Sequence, residues 1–212
     1  TLEPSSAASD VYKRQILICN PCNPTGYVYS KEEIISIANL AKKNDLFIVV
    51  DEVYREFIYT DLKHYSILED KMFFDNAILI DSTSKRYSLC GARIGFIVSK
   101  NSKFIETCLK FALARLSPPT LALIAANKAL KSDQKYIDGV ISEYSHRREV
   151  LIDELSKIND IEFSNPMGAF YSIIKLPIKN AEDFAKFLLT DFSINNESVM
   201  VAPASGFYSS EN

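Results

Sequence analysis

The chain has 212 residues, 47% hydrophobic and 24% charged, which is an ordinary globular composition and enough for one large core or two modest ones. Its formal net charge of -3 offers no attraction for nucleic acid or an anionic membrane, and no apolar run approaches the ~20 residues of a membrane helix. With no secretory leader in view, a cytoplasmic protein is expected.

The four cysteines include a C-x-x-C pair, Cys19 and Cys22, a pattern that elsewhere marks zinc or redox sites. Cys90 and Cys108 are too far apart in sequence to form a second close pair, and His64 and His146 are isolated. No tetrahedral ligand set can be assembled from these residues, so no metal is expected. The cysteines read as reduced thiols acting as small apolar residues. Residues 1–15 read as a leader, disordered or foreign, because Thr1 to Arg14 show no apolar period and no initiator methionine. The other end breaks off in a Gly/Ser-containing loop, so the chain is expected to be a fragment.

In chain order, Ile16 to Cys19 predicts a short buried strand. The loop Asn20-Pro21-Cys22-Asn23-Pro24-Thr25-Gly26 follows, stiffened by two Asn-Pro steps that can aim an amide side chain. Ser30 and Glu33 have the spacing of a capping box, and Ile34, Ile37, Ala38 and Ala41 give the helix behind it an apolar stripe. Leu46 to Val50 is a continuous β-rich run, the mark of a strand buried on both faces, and it ends in Asp51-Glu52-Val53-Tyr54. Strand, helix and strand with short links make a βαβ unit, and hence an α/β fold with a mostly parallel sheet and flanking helices. Further strands are expected at Ala77 to Ile80 and Ile94 to Val98.

Helices are expected from Asn101 to Leu116, from Thr120 to Leu130 after a Ser117-Pro118-Pro119 break, and from Ser132 to Ile158. The remainder reads as α+β. Short strands are predicted at Ile161 to Phe163 and Val199 to Ala202, a longer one at Ala169 to Leu176, and a helix capped by Asn180. Two domains are expected, a large one over residues 16–140 and a smaller, truncated one over 141–212, joined through the long helix.

Ligands of parallel sheets bind beyond the carboxyl ends of the strands, which is where Asn23, Asp51 and Lys85 fall. Lys85 follows Ser82-Thr83-Ser84, and Arg93 stands between Gly91 and Gly95 in the same loop. The bland alternative is a polar loop with a solvated lysine. The whole set, however, suits pyridoxal phosphate. The Lys85 amine can bond to the cofactor aldehyde, and the Asp51 carboxylate can keep the ring nitrogen protonated. Tyr54 and Asn23 can donate to the ring oxygen, Arg93 can grip phosphate bidentately, and Ser82 and Ser84 can add hydroxyls. For Tyr29, Glu52 and Arg86, solvated or packing roles are expected.

The segments NPCNPTG, DEVY and STSK with Arg93 behind it resemble the signature of the fold-type-I, class I/II pyridoxal-phosphate aminotransferases, in order and each after a predicted strand. The resemblance runs from about Ile16 to the C-terminus. It implies that Lys85 is the internal-aldimine lysine and Asp51 the partner of the ring nitrogen. Asn23 and Tyr54 would bind the ring oxygen, and Ser82, Ser84 and Arg93 the phosphate. Amino acids and 2-oxo acids are the implied substrates, and a homodimer is expected of the full-length parent. Members of that family also carry an N-terminal phosphate loop, an aromatic stacked on the ring and a carboxylate-binding arginine near the C-terminus, none of which is found in this sequence. The chain alone is therefore expected to be inactive.

The competing possibilities are a β-lyase, cyclopropane-forming synthase or decarboxylase of the same fold, or a non-catalytic ligand-binding domain of a regulator. A plain nucleotide-binding domain lacks its G-x-G-x-x-G or Walker loop here.

Overall fold

The structure, a computed structural model, describes residues 14–207. Of the expected leader, residues 1–15, only Arg14 and Gln15 are among them. Three apolar runs form parallel strands in the order β1 (Gln15–Cys19), β2 (Phe47–Asp51) and β3 (Ala77–Ser82). The fourth, β4 (Gly95–Val98), lies antiparallel to β3, with Ser82 opposite Gly95. The fold is α/β with a mostly parallel sheet, as the sequence implies. In register, Cys19 lies beside Asp51, and Asp51 beside Ile80. The carboxyl ends of β1 to β3 therefore finish almost level, and the three motif loops leave from one edge.

Helix α1 (Lys31–Lys43) begins at the expected capping box: Ser30 Oγ accepts from Glu33 N at 3.2 Å, and Glu33 Oε2 accepts from Ser30 N at 2.8 Å. Its buried stripe, Ile34, Ala38 and Ala41, packs on Ile48, Val50, Ala77 and Leu79, with Tyr65, Ile67 and Phe73 closing the cluster. Each large side chain buried there contributes about 2 kcal/mol. The other sheet face is more open, with Leu17 67% exposed and Ile97 53%. Side chains alternate along a strand, so β2 buries Ile48 and Val50 under α1 while Phe47 and Val49 stay half-buried. Two-sided burial, expected from the unbroken apolar run, is not reached.

Helices α2 (Ser102–Arg115) and α3 (Thr120–Ala129) are separated at the two prolines as expected, and Asn101 Oδ1 caps the first by accepting from Phe104 N. Helix α4 (Gln134–Leu155), capped by Asp133, runs unbroken past residues 140 and 141, where the two domains were expected to meet. Strands β5 (Glu162–Phe163) and β6 (Ile174–Lys175) pair antiparallel, and α5 (Ala181–Thr190) follows its Asn180 cap.

Two expected strands differ. Ala169 to Leu176 forms ladder bonds only at Ile174 and Lys175, because Ala169 adopts φ +57° and the chain turns there. Val199 to Ala202 forms no strand; Val199 is 58% and Met200 81% exposed, with no partner strand among the described residues.

The segment from Pro166 to Tyr171 folds back onto the first part of the chain. Met167 N and Gly168 N both donate to Gly26 O at 2.9 Å, Ala169 N donates to Phe57 O at 2.9 Å, and Tyr59 N donates to Met167 O at 2.9 Å. A Cβ on Gly168 would lie 2.7 Å from Phe57 O and 2.9 Å from Pro21 Cβ, so only glycine allows this approach.

Candidate active site

The Asn-Pro loop is built inward at its first asparagine and outward at its second. Asn20 is fully buried, and its Oδ1 accepts from Tyr29 N at 3.0 Å. Asn23 sits on the exposed turn, and both Asn-Pro bonds are cis. Beside the loop, the Cys19 thiol donates to Pro21 O at 3.1 Å. Burial pushes this thiol up to about 11, and the nearby Asp51 adds to the effect, so it stays protonated and unreactive at neutral pH. Cys19, Cys22, Cys90 and Cys108 are all free.

Asp51 ends β2 half-buried, with Oδ1 accepting from Val53 N at 3.1 Å. Burial raises its carboxyl above the ordinary aspartate range, the Val53 amide opposes this, and Asp81 and Glu52 add repulsion. Three residues on, Tyr54 is 3% exposed and its hydroxyl lies 2.6 Å from that of Tyr171. Burial, then the Tyr171 hydroxyl, pushes the Tyr54 phenol upward, so it keeps its proton.

Lys85 stands in the turn after β3. Its Nζ lies 5.7 Å from the ring centroid of Tyr54 and 5.7 Å from that of Phe170. These rings belong to an aromatic cluster with Phe57, Tyr144 and Tyr171, in which Tyr144 and Phe170 stack at 4.7 Å. A groove of about 450 Å³ opens next to the Lys85 turn between Ser88, Tyr136, Val140 and Tyr144. The Ser82 hydroxyl lies 2.8 Å from Ser84 Oγ and 2.9 Å from Ile94 O, and Ser84 N donates to it at 3.1 Å. One proton cannot serve both oxygens, so with Ser82 donating to Ile94 O, Ser84 donates to Ser82. This ties the serine pair to the residue after Arg93. Arg93 is exposed at φ +56°, and its Nη1 donates to Cys90 O at 2.8 Å. The structure thus brings Lys85, Tyr54 and the serines to one strand edge beside Asp51. No hydrogen bond joins Asn23 or Arg93 to Lys85 or Tyr54.

Neither Glu52 nor Arg86 is solvated, which corrects one of the two roles expected for them. Glu52 is fully buried, and its carboxylate accepts from Ser66 Oγ at 2.9 Å and Ile67 N at 3.0 Å, with His64 Nε2 3.0 Å away. A buried carboxylate survives only with such partners, and here it ties the loop 64–67 to the end of β2. Arg86, 5% exposed, pairs with Glu56 at 2.9 Å and with Asp81, while Arg55 reaches the same two carboxylates. Sequence reading also missed Phe170 and Tyr171. An aromatic pair just beyond Gly168-Ala169 was the available signal, hidden by the strand expected over Ala169 to Leu176.

The uncommitted cations decide what the site can hold. Arg55 and Arg86 are locked by carboxylates, whereas Lys85 and Arg93 pair with none among the described residues. An amine and a guanidinium paired with no carboxylate, two hydroxyls, a phenol and a half-buried carboxylate fit an aldehyde cofactor bearing a phosphate and a basic ring nitrogen. Among the described residues, no group of three or more potential metal ligands comes together. No helix among them is long and apolar enough to cross a membrane.

Residues 4–211 match the family model of aminotransferases of class I and II. The chain belongs to that family. An aspartate aminotransferase of Pyrococcus abyssi is 34% identical over 92% of the chain and 49% of its own length. Among solved structures, the aromatic aminotransferase of Pyrococcus horikoshii superposes with a TM-score of 0.76 at 33% identity, covering 84% of this chain and 48% of that one. The aspartate aminotransferase of Thermotoga maritima superposes at 0.74 and 32% identity, over 84% and 46%. The chain thus spans about half the length of the aminotransferases it matches.

Proposed function

We propose that this chain anchors pyridoxal phosphate in a transaminase that moves an amino group between an amino acid and a 2-oxo acid. The observation that carries this is the Lys85 amine, free of any carboxylate and held over the Tyr54 and Phe170 rings, at the strand edge that also bears Asp51 and Ser82. When bound, the cofactor supplies an aldehyde for the amine and a protonated ring that accepts electrons. Lys85 Nζ would hold the cofactor at its aldehyde carbon, the aldehyde oxygen leaving as water, and the free Lys85 amine would carry a proton to and from the substrate α-carbon. Asp51 would hold the proton on the ring nitrogen, Tyr54 and Asn23 would donate to the ring oxygen, and Ser82, Ser84 and Arg93 would hold the phosphate. The Tyr54 and Phe170 rings flank Nζ, each with its centroid 5.7 Å away. A cytoplasmic homodimer is the setting we infer from the family resemblance.

Borohydride treatment of the purified protein with pyridoxal phosphate tests this. The cofactor mass is expected on the peptide containing Lys85 and is lost in Lys85→Ala. Labelling of another lysine, with Lys85 unmodified, would refute the proposal.

A further inference from the structure

We propose that Tyr171 is a positioning residue whose hydroxyl fixes the direction of the Tyr54 hydroxyl proton, presenting it to the ring oxygen of the cofactor. The inference rests on the proposal that Tyr54 binds that oxygen.

The two hydroxyls lie 2.6 Å apart, and their rings meet edge-on at 5.5 Å. Each oxygen carries one proton, so one hydroxyl must donate and the other accept. If Tyr54 donated to Tyr171, it would turn a lone pair toward the ligand and repel an anionic oxygen. Tyr171 hydrogen-bonds through its side chain to nothing else among the described residues. Nor does the Tyr54 hydroxyl, so either could donate; an anionic ligand oxygen beside Tyr54 selects the direction in which Tyr171 donates to Tyr54 and the Tyr54 proton goes to the ligand. Donors in series polarise one another, so an anionic ring oxygen strengthens both bonds of such a chain.

The geometry of Tyr171 is set by the backbone. Ala169 N donates to Phe57 O, Gly168 N donates to Gly26 O, and Tyr171 packs against Phe170, which lies against Tyr54, Phe57 and Tyr144. The phenol is thus brought to Tyr54 from a segment more than a hundred residues later in the chain.

The test uses the purified protein with pyridoxal phosphate and the variants Tyr54→Phe, Tyr171→Phe and the double substitution. Phenylalanine keeps the rings and removes only the hydroxyls. Two readouts are taken, the Kd for the cofactor and the pH midpoint at which its bound absorption band titrates. Tyr171→Phe is expected to weaken binding about threefold to tenfold and to raise the midpoint, because the anionic oxygen loses a polarised donor. Tyr54→Phe does the same more strongly, and the double variant matches Tyr54→Phe alone. A Tyr171→Phe protein identical to the parent in both readouts overturns the inference, and so do single effects that multiply in the double variant, which would mean independent packing roles. Should Tyr171→Phe fail to fold, 3-fluorotyrosine at 171, a stronger donor, is expected to lower the midpoint; an unchanged midpoint overturns the inference. Failure of the borohydride label at Lys85 in the parent protein would instead refute the cofactor site beneath it.

Discussion

Two ionisable residues at the strand edge bear on the stability of the fold in opposite ways. Burial raises the carboxyl of Asp51, so the fold favours its protonated form. The contribution is therefore fully present in acid, below the usual carboxylate range, and is lost as pH rises through the raised value. At neutral pH the cofactor-free protein holds a carboxylate that it would rather protonate. Asp51→Asn is expected to melt at a higher temperature than the parent at pH 7 without cofactor, a gain that shrinks as pH falls and vanishes below the usual carboxylate range, while its affinity for pyridoxal phosphate falls. Calorimetry across that pH range checks the sign. Arg86 is the opposite case, a buried cation shared between Asp81 and Glu56. Arg86→Met leaves both carboxylates with less compensation and is expected to cost about 3 kcal/mol in denaturant unfolding, part of it recovered by adding Asp81→Asn.

At the scale of elements, what holds the site is the return of the segment from Pro166 to Tyr171 to the strand edge. Gly168 is wedged between Phe57 O, Val28 and Pro21, with no room for a methyl group. Gly168→Ala is expected to destabilise by about 1–3 kcal/mol and also to weaken cofactor binding, since Phe170 and Tyr171 shift with the backbone. Urea unfolding and cofactor titration of the same variant measure both effects. The sequence announced the other elements by local rules: a capping box for α1, β-rich runs for the strands, prolines between α2 and α3. It did not announce this segment, because the glycine–backbone contacts that fix it join residues far apart in the chain. The same limit explains Glu52 and Arg86. For charged residues beside a motif, solvated and packing roles read alike until His64, Ser66, Asp81 and Glu56 are seen to enclose them.

Across the whole molecule, the parallel sheet and the motif edge were legible, since register follows from apolar runs of similar length and brings the three loops together. The open sheet face was not. Continuous apolar runs predict two covered faces, and the described residues cover one, leaving Leu17 and Ile97 exposed together with Phe111 and Leu121 on α2 and α3. Of the proposed site residues, Asp51, Tyr54, Ser82, Ser84 and Lys85 lie at or just beyond the carboxyl ends of β2 and β3. Asn23 and Arg93 share the edge but engage the others by no hydrogen bond.

The aromatic cluster around Lys85 also has an optical consequence. The chain contains 11 tyrosines and no tryptophan, so its intrinsic emission comes from phenols alone. Three of them, Tyr54, Tyr144 and Tyr171, lie in the ring cluster that touches the lysine. A near-ultraviolet absorber bonded to Lys85 would accept excitation from these before the distant ones. The protein therefore carries its own unlabelled reporter, with dimming of tyrosine light marking the moment the site is filled.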